Sequence, residues 1–331
     1  MTDLLLPLPA TADVDVAAQV DLARNAERAG YDAVLVPETW GREAFVRLGY
    51  LAGATDDLRL GTGIVPVHSR SPALLAQAAA TLAELTDGRA LLGLGLSSPQ
   101  VIEAWHGVAF EPALRRQRET LEIVRLALSG EVVDYDGDLF DLSGFRLRFD
   151  PPAPVPLYVA AQGPTNAELV GGFADGWLPN RIPRSALPDV RERVDRGAAE
   201  RDRDPDAVAT VPYVTTCVLD DGERARERCR GALAFYVGAM GDYHFRAVAD
   251  HGYREAATAI RERWQTGERD AARAAVTDDL LAEVAICGTP DDAARDLAAY
   301  RDVADAVVTL PPTTASVAEV SETVAHLGAI D

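Results

Sequence analysis

The feature that most constrains this chain is an alternation, carried along its whole length, between strand-length apolar runs and stripes of helical period. Residues 4–8 form the first run, and an amphipathic stretch follows with Val16, Val20 and Ala23 on one face and Gly30 as its stop. Residues 33–36 are apolar without a break, the pattern of a parallel strand covered on both faces, and a helix is expected over about 43–54. Residues 58–65 lead to Ser71-Pro72, a cap and a first-turn proline, and then to a stripe of Leu74, Leu75, Ala78, Leu82 and Leu85. Runs at 90–96, 155–161, 176–178, 208–219 and 306–310 continue the strand series. Leu121, Val124 and Leu128, the start at Pro164 and the stretch 316–326 continue the helical one. Eight strands, each followed by helix, predict an α/β fold: a (βα)8 TIM barrel with insertions rather than a doubly wound sheet.

Two stretches break the rhythm. Residues 131–150 hold Gly137 and Gly144 among short apolar segments, which predicts a hairpin-like excursion. Residues 221–281 are helical over more length than one crossover needs and read as a helical insertion, after which Thr289-Pro290-Asp291-Asp292 caps a further helix. The expectation is one barrel domain over 1–331.

Charge narrows the partners. Acidic residues number 52 and basic ones 32, a net charge of −20, and every basic residue is Arg. Such a surface disfavours nucleic acid and anionic membranes, and reads as adaptation to high salt, with a GC-rich genome as the other source of Arg for Lys. No apolar run approaches the roughly 20 residues that span a bilayer, and Met1-Thr2-Asp3 has no basic region of a secretory signal, so a cytoplasmic protein is expected. Cys217, Cys229 and Cys287 are odd in number and lack a C-x-x-C pair, so reduced cysteines and no metal site are expected.

Phosphate-loop, zinc-protease, serine-hydrolase and dinucleotide-binding motifs are all absent. Chemistry must then come from the strand ends at the barrel mouth. Gly93-Leu94-Gly95 closes the fourth strand with small residues that let a flat ligand reach the backbone. Glu38 follows the second strand directly, beside Thr39 and Trp40, and the glycines of Gly61-Thr62-Gly63-Ile64-Val65-Pro66 mark a bulge in the third. Ala160-Ala161-Gln162-Gly163-Pro164 brings an amide and an open helix N-terminus to the same mouth, suited to an anion or a cofactor edge.

The set Leu60-Gly61-Thr62-Gly63-Ile64, Arg70-Ser71-Pro72, residues 80–85 (ATLAEL), Gly88-Arg89 with Gly93-Leu94-Gly95, and Ala174-Asp175-Gly176-Trp177 resembles the luciferase-like flavin-dependent oxidoreductases. Residues 155–164 (VPLYVAAQGP) and Gly288-Thr289-Pro290-Asp291 look closest to the coenzyme F420 branch, methylenetetrahydromethanopterin reductase in particular. With the acid surplus, this points to a haloarchaeal source.

The resemblance implies a barrel with a non-prolyl cis peptide between Gly63 and Ile64, pressed against the deazaflavin face. It implies Glu38 and Thr39 near the ring, Gly95, Ser97 and Ser98 beside it, and Ala161, Gln162 and Gly163 along its pyrimidine side or tail. Asn180, Arg181 and Arg184 fall in the family's phosphate region. Hydride transfer to a methylene-pterin or folate is the implied reaction, with Glu38 as acid and Gln162 as positioner. One residue departs from the pattern: Leu6 stands where the reductase carries a Glu. Either Glu38 supplies the acid, or none is needed, or the substrate differs. An FMN-dependent monooxygenase and a non-catalytic flavin- or F420-binding protein stay as alternatives. A homodimer or tetramer is also expected, with Leu233, Phe235 and Tyr236 either in its contacts or packed internally.

Overall fold

The computed structural model describes residues 3–9 and 14–330, so Met1 and Thr2 lie outside it. The first half runs β1 (Asp3–Pro7), α1 (Val16–Arg28), β2 (Ala33–Val36), α2 (Ala44–Ala52), β3 (Arg59–Thr62), β4 (Val65–Pro66), α3 (Pro72–Leu85), β5 (Ala90–Gly95) and α4 (Ala113–Leu128). An antiparallel hairpin follows, β6 (Val133–Asp136) and β7 (Asp141–Phe145), then β8 (Leu157–Ala160), α5 (Pro164–Phe173), β9 (Gly176–Leu178) and α6 (Leu187–Ala199). After β10 (Ala209–Thr210) and β11 (Tyr213–Val218) come five helices: α7 (Gly222–Ala239), α8 (Asp242–Val248), α9 (Arg254–Gln265), α10 (Arg269–Ala274) and α11 (Asp278–Val284). The chain ends with β12 (Ala285–Gly288), α12 (Pro290–Tyr300), β13 (Ala306–Leu310) and α13 (Val317–Gly328).

The parallel strands close into the expected TIM barrel. β1, β2, β3, β5, β8 and β9 pair in that order, and β13 pairs with β1 through Asp3↔Ala306. Closure falls to residues 209–218. The early part pairs with β9 through Thr210↔Trp177, and the later part pairs with β13 through Tyr213↔Val308. The run expected as one strand is split at Val211-Pro212, because Pro212 has no N–H to offer a ladder. Two further differences follow from local geometry. The third strand breaks at Gly63–Ile64 into β3 and β4, and β12, a strand not foreseen, adds to the outer part of β11 through Cys217↔Cys287.

Each barrel strand feeds two apolar layers, which explains the unbroken runs. In β2, Ala33 and Leu35 pack inside the barrel while Val34 and Val36 pack against the helices. The helical stripe of α3 is shifted from its expected place. Leu75, Ala76, Ala79, Leu82 and Ala83 are buried, whereas Leu74 and Leu85 are 48% and 56% exposed. In a long apolar helix period alone does not say which neighbouring Leu turns inward. Ser71 caps α3, and Thr289 with Asp292 forms a capping box on α12.

The helical segment has its own core, with Leu233, Val237, Ile260 and Leu280 fully covered. Leu233 is thus buried within the chain, Phe235 packs edge-on to Trp264, and Tyr236 sits under Arg181, so these three residues are spent on internal contacts. Cys217, Cys229 and Cys287 are free and buried, and burial pushes the Cys217 thiol up to about 12. Among the described residues no helix is long and apolar enough to cross a membrane.

Trp177 joins the fold to the mouth, being wholly buried with its indole Nε1 donating to the Ala161 carbonyl at 2.9 Å. Trp177→Phe keeps most of the volume but strands that carbonyl. A loss of about 1–3 kcal/mol is expected, read as a lower urea midpoint with unchanged slope; an unchanged midpoint would mean that the bond contributes nothing.

Candidate active site

Parallel barrel strands end at one mouth, and the loops after β2, β4, β5, β8 and β9 meet there. The tightest join is between β3 and β5. Thr62 Oγ1 donates to the Gly93 carbonyl at 2.7 Å and accepts from the Gly93 amide at 2.8 Å, and a Cβ on Gly93 would lie 2.0 Å from the Thr62 carbonyl oxygen. Only glycine lets these backbones come so close.

Just beyond, the Gly63–Ile64 peptide is cis. The Ile64 side chain lies over Gly95, where an added Cβ would stand 2.9 Å from Ile64 Cδ1 and 3.4 Å from Ala160 Cβ. Ile64, Gly95 and Ala160 therefore form a small apolar bed, with Ala161 buried in the layer behind it. Tyr213 fixes its back edge: the buried phenol donates to the Gly63 carbonyl at 3.0 Å, and burial raises its ionisation well above the ordinary value.

Glu38 stands at the end of β2 with its two oxygens clamped by Arg70, both hydrogen bonds at 2.7 Å. It also accepts from the Ala44 amide at 2.9 Å, at the start of α2, and Arg70 reaches on to Glu43. Burial alone would raise the Glu38 pKa; the bidentate bonds, the Ala44 amide and the Arg70 charge outweigh it, so the carboxyl is held below its ordinary value. A carboxylate so held has no proton to give near neutral pH. This geometry argues against Glu38 as the acid and suits a role as anchor between the loops after β2 and β4. Thr39 and Trp40 beyond it are exposed at the rim.

After β5, Ser97 has a left-handed backbone, φ +61°, uncommon for a residue other than glycine. Ser98 Oγ accepts from the Val101 amide at 3.3 Å, so that hydroxyl is partly spent on the turn that follows. On the opposite side, Gln162 Nε2 donates to the Asn180 carbonyl at 2.8 Å and links the ends of β8 and β9. Gly163 leads into α5 with no side-chain cap and open space where a Cβ would be, so the first amides of that helix face outward uncovered.

The three phosphate-region residues part company. Arg181 is 2% exposed, with φ +60°, its Nη1 donating to Asn180 Oδ1 at 2.7 Å and its guanidinium 3.4 Å over the Tyr236 ring. Arg184 instead donates to Glu283 Oε1 at 3.2 Å and the Ala282 carbonyl at 3.3 Å. Its charge is matched by a carboxylate of the helical segment, so it does not serve as a free phosphate donor. Leu6 is buried in the layer between strand and helices, at the place where a carboxylate was the alternative.

Several residues at this mouth gave no sequence signal. His106 lies near enough to Glu38 to help lower its pKa, and its Nε2 is buried without a partner. His68 stacks on Phe110 with ring centroids 5.3 Å apart and Nε2 2.9 Å from the Phe110 carbonyl. His244 packs edge-on to Tyr236. The partners of His68 and His106 come from segments tens of residues away, which no local spacing encodes.

A profile described as luciferase-like monooxygenase matches residues 6–306. A putative coenzyme F420-dependent oxidoreductase of Mycobacterium tuberculosis is 32% identical over 324 residues, 90% of this chain and 91% of that one. A 5,10-methylenetetrahydromethanopterin reductase of Archaeoglobus fulgidus is 33% identical over 273 residues, 81% of each. Among solved structures, the coenzyme F420-dependent tetrahydromethanopterin reductase from Methanopyrus kandleri superposes with a TM-score of 0.83 at 21% identity, covering 99% of this chain and 97% of that one.

The Glu38–Arg70 clamp has a pH signature. Glu38→Gln leaves Arg70 without its main counter-charge and is expected to cost about 3 kcal/mol near neutral pH. Because the folded-state pKa is depressed, the wild-type advantage is complete above the ordinary Glu value of about 4.3 and fades as pH falls through the lower folded value. Urea denaturation of both proteins from neutral to acid pH measures this; a gap that closes above that ordinary value would refute the clamp.

Proposed function

The chain belongs to the luciferase-like monooxygenase family, and from that premise we propose that it is a coenzyme F420-dependent oxidoreductase passing hydride between C5 of the deazaflavin and a small electrophilic substrate. The substrate we favour is a 5,10-methylene-tetrahydropterin or tetrahydrofolate. The observation that carries this reading is the bed of Ile64, Gly95 and Ala160, apolar and sized by backbone rather than side chains. It suits one face of a planar tricyclic ring.

When bound, the deazaflavin supplies or accepts the hydride. This chain's residues do the rest by placement. Ile64 and Gly95 support one face and leave the other to the substrate. Gln162, its amide nitrogen engaged by Asn180, keeps Oε1 as an acceptor for a ring N–H. Ser97, Thr39 and the uncapped start of α5 at Gly163 provide donors for the ring edge and the anionic tail, with Asn180 beside them. Glu38 holds Arg70 and the start of α2 in place. Since Glu38 is ionised and Leu6 is apolar, hydride addition to a preformed iminium, which needs no proton from the protein, fits better than acid catalysis from strand one or two.

The exposed Trp40 and Trp105, on the loops after β2 and β5, flank the mouth and would shield the transfer from water. We read the hairpin and the helical segment as insertions in one barrel domain, and the lysine-free acidic surface as suited to a salty cytoplasm.

The test is equilibrium binding in concentrated KCl, where the Debye length at 1 M is about 3 Å and nonspecific attraction is screened. F420 is expected to quench tryptophan emission with a Kd near micromolar, and FMN to bind far more weakly. Reduced F420 with methylene-tetrahydrofolate or its pterin counterpart should then be oxidised without oxygen uptake. A preference for FMN with oxygen consumption would replace this reading by a monooxygenase, and tight F420 binding with no turnover on any methylene-pterin or folate would favour a carrier.

A further inference from the structure

Buried arginines in this protein are of two kinds. Arg47 is closed off with every branch engaged: Nε donates to Gln19 Oε1 at 2.8 Å, Nη1 to the Pro37 carbonyl at 3.3 Å and Nη2 to the Pro9 carbonyl at 3.4 Å. Arg181 is as deeply buried but poorly supplied. Its Nη1 donates to Asn180 Oδ1, the uncharged Tyr236 is its other hydrogen-bond partner, its Nε has no partner, and among the described residues no carboxylate pairs with it. Beside it, across the Tyr236 ring, His244 Nδ1 is also buried without a partner. In a chain of net charge −20, a buried guanidinium that has neither a carboxylate nor, as Arg47 has, neutral acceptors for every branch marks a place kept for an anion that the protein does not itself provide.

Its position says which anion. Arg181 follows β9 at the barrel mouth, and it is covered by the end of α7 and by α8, not by the loops after β2 to β5 that border the apolar bed. We propose that Arg181, with Asn180 and His244, is the receptor for an oxyanion of the substrate, a carboxylate or a phosphate, with Tyr236 covering the guanidinium until the ligand arrives. This rests on the preceding reading that the bed of Ile64 and Gly95 holds the cofactor. The planar fork of Arg181 matches either oxyanion bidentately, and Tyr236, which stacks on the guanidinium and hydrogen-bonds to it, is an uncharged partner that a charged oxyanion displaces. The α7–α8 turn at Met240-Gly241, exposed and with Gly241 at φ +87°, is where the cover can lift. Burial and the Arg181 charge push His244 down to about 3, so it is a neutral imidazole, able to donate one hydrogen bond without adding charge.

The probe is inorganic phosphate, titrated calorimetrically into the full chain with and without saturating F420, for the wild type, Arg181→Gln and His244→Gln, each checked for an intact thermal transition. Phosphate is expected to bind the wild type equally with F420 present. Arg181→Gln should weaken it by about tenfold or more and His244→Gln by about threefold, as lost hydrogen bonds to a charged ligand do, with F420 affinity moving less than about twofold in both. Competition between phosphate and F420, together with loss of F420 affinity in Arg181→Gln, would assign the guanidinium to the cofactor's own tail and overturn the proposal. Failure of phosphate to bind the wild type would overturn it as well. Should Arg181→Gln not fold, the wild-type competition and His244→Gln decide alone. If F420 does not bind while phosphate still depends on His244 and Arg181, the cofactor reading falls and the oxyanion receptor stands.

Discussion

The hydrogen bond from Tyr213 to the Gly63 carbonyl crosses the barrel from the seventh strand to the third, and the geometry of the mouth depends on it. Strand 209–218 has to serve two neighbours at once, β9 at its start and β13 further on, with Pro212 as the hinge between the two pairings. Immediately after that hinge Tyr213 points inward and meets the bulge where β3 becomes β4. A Cβ at residue 63 would stand 2.4 Å from the phenol oxygen and 2.7 Å from Leu35 Cβ, so glycine there, the phenol and the closure of the barrel are one arrangement. Ile64 is thereby delivered over Gly95, and the bed exists because the barrel closes where it does.

Around that centre, charge is used sparingly. Most arginines spend themselves on carboxylates: Arg70 on Glu38 and Glu43, Arg184 on Glu283, Arg230 on Glu227 and Asp278. Others turn to carbonyls or rings instead, as Arg89 does to the Leu58 and Thr55 carbonyls and Arg201 to the Phe173 ring. Exposed pairs contribute little each, about 0–1 kcal/mol, but the half-buried Glu38–Arg70 pair fixes two mouth loops in register. Its cost is chemical: the carboxylate that looks best placed to donate a proton is held ionised by its partner.

The barrel was legible in the sequence because its strands are covered on both faces, so apolar runs such as 33–36 and 90–96 stand out against the helical stripes. Caps were legible for the same local reason, Ser71-Pro72 and Thr289 with Asp292 being contacts within one turn. Gly95 and the bulge at Gly63 were legible as small residues at strand ends, whereas the cis geometry of the Gly63–Ile64 peptide was anticipated only through resemblance to a family. What stayed hidden was long-range. Nothing near Pro212 announces that its strand changes neighbours, nothing in residues 285–288 announces a ninth parallel strand, and the Leu74 and Leu85 faces of α3 are decided by which helix lies alongside. The Arg70 clamp that holds the Glu38 carboxyl below its ordinary value stayed hidden for the same reason, since Arg70 lies 32 residues on.

The two sides of the mouth are built with different stiffness, and that difference bears on what the protein can be selective for. On the side of β2, β4 and β5, bidentate ion pairing, the Thr62–Gly93 bonds and the Tyr213 contact leave little room to adjust. A rigid wall of that kind suits a ligand of constant shape. On the side of β9 and the helical segment, Arg181, Tyr236 and His244 meet through ring contacts and an Arg181–Tyr236 hydrogen bond, and the covering helices pack in an apolar cluster that rests on β11 and β12 at Cys217 and Cys287. Away from its contacts with β11 and the Arg184–Glu283 pair, sequence in the segment between β11 and β12 can change with little effect on the barrel, and the chemistry recognised there can change with it. A scaffold that keeps one ligand fixed and varies the other needs this division, and here it follows from where the barrel closes and where its longest insertion leaves it.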